Sequence, residues 1–175
     1  MIIKNTVIAY DNIYTGSAKI FSAPKLEKAY NIYARSVNKF SVPELKVAWD
    51  IQAHSAKSFF VPKLERADII HVDSAKKFSA PKLEKMLVIY VYSAKKFSVP
   101  KLEEAENIHI YSVGNFFAPK LKEVWDIYAN SAKKFSVPKL KKADNIYAQS
   151  TKSFSAPNLE EARNIWAESA ETIKL

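Results

Sequence analysis

Apolar residues recur along this chain in one order: phenylalanine, alanine or valine two places later, leucine three further on, then a mostly alanine position and an isoleucine at intervals of three, with polar residues between. The order restarts every nineteen residues, and eight prolines at positions 24, 43, 62, 81, 100, 119, 138 and 157 mark the period. Copies begin at Ser17, Ser36, Ser55, Ser74, Ser93, Ser112, Ser131 and Ser150. Their consensus is S-A-K-K-F-S-(A/V)-P-K-L-E-K-A-D-N-I-Y-A-x. Three columns barely vary: Phe21 and its successors to Phe154, Leu26 through Leu159, and Ile13 through Ile165. These are the expected core. A nineteen-residue unit cannot bury a core alone, but stacked copies can, so residues 1–175 read as one solenoid domain. It divides into an N-terminal partial coil over 1–16, eight repeats over 17–168, and a C-terminal partial coil over 169–175, beginning at Ser169.

Strands are the preferred element. The segments around Ile69-Ile70-His71-Val72, Leu87 to Tyr92 and Asn107 to Tyr111 are rich in β-branched and aromatic residues. Isoleucine and the residue two later alternate inward, as do Phe78 and Ala80. The expected fold is therefore all-β or mainly β: a right-handed parallel β-solenoid of about eight nineteen-residue coils. At about 4.8 Å per coil the rod is on the order of 40 Å long. The alternative is an α-solenoid with one helix per nineteen residues, supported by the serine cap, early proline and helix formers of S-A-P-K-L-E-K-A.

The pattern Ala67-x-x-Ile70-x-Val72-x-x-Ala75, repeated as Ala143-x-x-Ile146-x-Ala148-x-x-Thr151, resembles a shortened leucine-rich repeat. Phe97-Ser98-Val99-Pro100-Lys101-Leu102 resembles the returning segment of short bacterial repeats and receptor L domains. The resemblance covers almost the whole chain and implies a binding surface by analogy. Alanine stands where that family carries its ladder asparagine and most strand leucines, which implies a slim, tightly wound coil.

Side-chain alternation places two columns outward beside the inward isoleucines. One runs Tyr14, Tyr33, Gln52, His71, Tyr90, His109, Tyr128, Tyr147, Trp166; the next includes Arg35, His54, Asp73, Tyr92 and Tyr111 and is highly variable. At the centre, the Asn or Asp that usually precedes the isoleucine becomes Ile69 and Val88, with Leu87 before the latter. The expected partner-binding residues are Ile69, His71, Leu87, Val88, Tyr90, Tyr92, His109, Tyr111 and Tyr128. An exposed apolar and aromatic patch of this sort suits a protein partner. Self-association through this patch or through a terminal coil with unpaired edges is the competing use.

The absence of cysteine excludes disulfides and thiolate metal sites. A formal charge of +9 admits an acidic partner without selecting one. Lys57, Lys76, Lys77, Lys95, Lys96, Lys133 and Lys134 form candidate anion-binding columns, and Glu27, Glu65, Glu84 and Glu103 are expected to neutralise the lysines two places before them in part. Nucleic-acid binding through lysines and ring stacking is therefore the alternative function, weakened by the presence of only three arginines. His71, Asp73 and His54 converge in a composition able to bind metal, but their separation is expected to exceed chelating distance. The cluster is read as solvated polar residues, with His109 too far along the rod to join it. No metal, cofactor or catalytic residue is assigned. No signal-peptide core or membrane-spanning apolar stretch is found, which suggests a cytoplasmic protein. The leading expectation is a non-enzymatic interaction scaffold; its size and architecture also suit a phage or mobile-element inhibitor of a host defence complex, acting in the host cytoplasm.

Overall fold

The computed structural model describes residues 1–168 and 170–175; Ser169, where the ninth copy starts, lies outside the described residues. Within them the chain is a parallel β-solenoid of about nine turns, and the α-solenoid alternative is not supported. Successive coils pair in register with an offset of one repeat: Ile32 with Ile51, Ile70 with Ile89, and Ile108 with Ile127. The isoleucine-bearing strands include Lys28–Tyr33, Val47–Gln52, Glu123–Tyr128, Lys142–Tyr147 and Glu161–Trp166. Shorter strands such as Ile20–Ser22, Lys39–Ser41 and Lys134–Ser136 carry the phenylalanines on a second side.

The proline that resembled a helix start sits in a tight turn instead. Ala23 accepts a hydrogen bond from the Leu26 amide across Pro24-Lys25, and Val42 accepts one from Leu45 across Pro43-Glu44. Proline suits the second place of such a turn because its φ is already set. The third side is closed by a backbone ladder in which Lys46, Glu65, Glu84 and Glu103 each donate to the residue one coil earlier, at 2.8–2.9 Å.

Phe21 to Phe154 form an unbroken internal file, with neighbouring ring centroids 4.6–5.6 Å apart. Buried columns of Ala and Val, such as Ala23, Val42 and Val61, complete the interior. Inward residues are not strictly alternate. Outward doublets such as Asp68-Ile69, Asp73-Ser74 and Lys76-Lys77 interrupt the period and form the corners of the coil.

The corner after the isoleucine strand has two forms. Where the residue two after isoleucine is alanine, the chain turns tightly: Ala34 accepts from Val37, Ala53 from Ala56, and Ala129 from Ala132. In the central coils that residue is Val72, Val91 or Ile110, and the strand continues through the corner as Arg66–Ser79, Lys85–Ser98 and Glu104–Val113. β-Branched side chains favour extended backbone and bring bulk that a tight corner does not accommodate. The central coils consequently carry longer unbroken strands. Beyond them, Gly114 replaces the usual lysine because a Cβ there would stand 2.8 Å from the Lys95 carbonyl oxygen.

The first coil departs from the repeat. Ile8 pairs with Lys28 and Ala9 with Ala29, but Ile13 pairs with Ile32, so one extra residue is accommodated between them as a β-bulge. Among the described residues no helix is long and apolar enough to cross a membrane.

Candidate functional site

The column following each isoleucine forms a file of stacked rings on the outer face. Tyr14 stacks on Tyr33 at 5.0 Å. After Gln52 the file runs unbroken through His71, Tyr90, His109, Tyr128, Tyr147 and Trp166, with centroids 5.3, 4.6, 4.6, 4.5 and 4.4 Å apart. A second file, Tyr92 on Tyr111 at 4.9 Å and 7°, lies beside it on the central coils. The parallel-strand spacing sets these distances, because identical positions in adjacent coils are one strand apart. The rings occupy one another's faces and turn their edges and hydroxyls outward. Rings inside the file offer a base no open face, whereas the end rings Tyr14 and Trp166 each have one face without a ring neighbour among the described residues.

Burial raises the pKa of Tyr92 and of Tyr128, with nearby carboxylates and tyrosines adding to it, so their hydroxyls stay protonated. Burial between its neighbours lowers the His109 pKa from the usual 6.5, and Asp126 opposes the shift only in part. The unfolded chain therefore binds the proton more readily than the fold does. This residue's contribution is present above pH 6.5 and is lost as pH falls through the folded value. Replacing His109 with the tyrosine common in its column should flatten the decline of melting temperature between pH 7 and pH 5 relative to the parent chain; an unchanged slope would remove His109 as a cause.

One position before each isoleucine, an amide ladder supports the repeat. Asn31 donates to Asn12 at 2.8 Å, Asn145 to Asp126 at 2.7 Å, and Asn164 to Asn145 at 2.9 Å. Ile69 and Val88, which pair with each other in register, break this ladder at the centre. Next to the break, Asp50 Oδ1 is buried without a hydrogen-bond partner, and burial raises the pKa of that carboxyl. Gln52 donates to its other oxygen at 2.8 Å, while Arg35 donates twice to the Gln52 carbonyl.

Eight of the nine expected contact residues lie on this face. Ile69, Tyr92 and Tyr111 are exposed, while His71, Val88, Tyr90, His109 and Tyr128 are half-buried within the files. Leu87 is the exception to the grouping. It lies across a corner from Val88 and lines a separate groove of about 610 Å³ over the floor formed by Met86, Ala105 and Val124, near Trp125. The outward column of that groove also holds Tyr30 and Trp49, their ring centroids 5.2 Å apart and their planes tilted by 42°, and the sequence reading overlooked it. Two of the chain's three tryptophans at one repeat position were the available signal.

The seven candidate anion-binding lysines are all exposed, and among the described residues none has an ion-pair partner. They form two blocks: Lys57, Lys76, Lys77, Lys95 and Lys96, then Lys133 and Lys134 after Gly114 and Asn115. The expected neutralisation takes a different route. Glu27 pairs with Lys46 and Glu103 with Lys122, each at 2.7 Å and one coil away, rather than with the lysines two places earlier.

The polar cluster is also closer than the sequence suggested. His54 Nδ1 lies 2.6 Å from Asp73 Oδ2, and His71 Nε2 lies 2.8 Å from Asp73 Oδ1. One potential ligand atom from each of the three residues lies within 4.8 Å of the others, which overturns the expectation that they stand beyond chelating distance. His54 and Asp73 occupy the same column in adjacent coils, and His71 stands two residues before Asp73 on the strand Arg66–Ser79, so the three meet where the two outward columns adjoin.

Fold and faces define a parallel β-solenoid repeat protein whose distinguishing chemistry lies in its outward columns. Comparison with protein-family models, curated proteins and solved structures found no match to this chain.

Proposed function

We propose that the chain is a non-catalytic scaffold that binds a protein through the central part of its ring-lined face. The break in the amide ladder at Ile69 and Val88 carries this reading. From Asn12 to Asn31 and from Asp126 to Asn164 this column supplies hydrogen bonds between coils, whereas here it gives way to apolar side chains beside Tyr90, Tyr92 and Tyr111. Aromatic groups already held in place lose little freedom on docking, so a modest contact area is effective. The resemblance to leucine-rich repeats adds support by analogy, since a strand face is the binding side proposed here as well. The inhibitor reading rests on size and architecture and adds no residue to this face.

Nucleic-acid binding is the second reading, favoured specifically by the unpaired lysine blocks. It would use backbone phosphate contacts along those blocks, because the stacked rings leave little face for bases.

Affinity capture from the native host, with Tyr92→Glu as the comparison, tests the main reading. The parent chain should retain a protein that the variant loses by at least tenfold, with circular dichroism unchanged. Equal capture by both would refute the assignment of this face. A fall in mass for the variant alone, read by light scattering, would identify the partner as a second copy; salt-sensitive retention of single-stranded RNA by the parent, lost on replacing Lys76, Lys77, Lys95 and Lys96, would favour the second reading.

A further inference from the structure

We propose that His54, His71 and Asp73 bind one divalent transition-metal ion at the edge of the central coils. The donors come from two adjacent coils and lie within 4.8 Å of one another. Two imidazoles and one carboxylate match the borderline ions, of which Zn²⁺ is typical, rather than Ca²⁺ or Mg²⁺, which take oxygen ligands. Zinc bonds of about 2.0–2.2 Å would hold the three atoms a little over 3 Å apart. The two pairings to Asp73, at 2.6 and 2.8 Å, are slightly tighter than that and run to different carboxylate oxygens, so loading an ion requires small side-chain rotations that open these contacts and bring both imidazoles onto one point.

The hydrogen bonding around the cluster leaves capacity for a ligand. His54 Nε2 and Asp73 Oδ1 are buried atoms without a hydrogen-bond partner; Asp73 Oδ1 is near His71 Nε2 but poorly aligned with it. The Asp50 carboxyl is coupled electrostatically to both imidazoles, which oppose the upward push of burial on its pKa. On the opposite side the Tyr92 ring lies 5.7 Å from His71, walling one flank. The His54 and His71 rings are themselves 4.2 Å apart, closer than any stacked pair in the neighbouring file.

The repeat provides an internal control. The same columns hold Tyr90, Tyr92, His109 and Tyr111 in the next two coils and Tyr128 and Asn130 after them. Among the described residues, only at His54, His71 and Asp73 do the substitutions place three ligating side chains at one point. Three protein ligands leave a further coordination position open to water or to a ligand offered by another molecule. The proposal stands independently of the partner reading, since it needs no occupant of the aromatic files.

The test is titration of the chelator-treated full chain with ZnCl₂ at pH 7.5, followed by calorimetry and by histidine side-chain NMR. The expected result is one equivalent of zinc, a rise in melting temperature, and perturbation of the His54 and His71 signals while that of His109 stays in place. Asp73→Asn and His71→Gln should each weaken binding at least tenfold. Binding of no zinc, perturbation of His109 alone or of all three histidines alike, or undiminished affinity in both variants would overturn the site. The NMR measurement on the unaltered chain decides the matter even if a variant fails to fold.

Discussion

Phe78→Ala should destabilise the solenoid by about 3–5 kcal/mol, the range for emptying a buried phenylalanine site. Phe78 is 1% exposed and stacks between Phe59 at 5.0 Å and Phe97 at 4.6 Å. The substitution leaves a void and breaks two ring contacts, each worth about 0.5–1.5 kcal/mol beyond area burial in measured pairs. The cavity figure already contains much of that loss, so the two amounts do not add. Because each coil contacts only its neighbours, stability is close to a sum of coil and interface contributions. A defect at the centre should divide the file into two shorter stacks and broaden the urea transition. Phe154→Ala, near the end of the file, should instead promote loss of the final coils with the centre retained. Urea titration followed by fluorescence and circular dichroism distinguishes them; a single unshifted transition for Phe78→Ala would contradict the proposed role of the file.

The double substitution Ile69→Asn and Val88→Asn should leave stability within about 1 kcal/mol of the parent, since β-propensity differences of that order oppose restored side-chain hydrogen bonds worth a similar amount. The new amides would extend the ladder from Asp50, whose Oδ1 has no partner, toward Asn107. Partner affinity, in contrast, should fall about thirtyfold or more, as expected when an interface loses about 2 kcal/mol at a central contact. Calorimetry with the captured protein and a melting curve read both quantities. Undiminished affinity would remove the ladder break from the binding face. A large loss of stability would show that Ile69 and Val88 serve the architecture after all.

The fold was unusually legible because the chain contains its own comparisons. Each phenylalanine, leucine and isoleucine recurs with the same neighbours, so invariance among copies marks inward positions without reference to another protein. The Pro24 and Pro43 segments were harder to read, since a proline after a serine is compatible with both a helix start and a turn; parallel pairing between coils selects the turn. At the candidate site, the outward columns were correctly placed, but Leu87 was grouped with Val88 by sequence adjacency. Two outward residues at a corner point to different sides, and Leu87 joined the groove instead.

The sequence by itself determined the period, the strand-built coil and the inward columns, because burial of a repeated apolar pattern allows one register for stacked copies. Tertiary structure alone decided which ring faces stay open, which charges pair, and how near His54 comes to Asp73. Those outcomes depend on corner angles and side-chain rotamers meeting across nineteen residues of chain, where Val72 in place of alanine straightens one coil and leaves the preceding one turned. A column assignment locates a residue on a side of the rod. How closely two side chains approach follows only from the way adjacent coils bend and their rotamers meet.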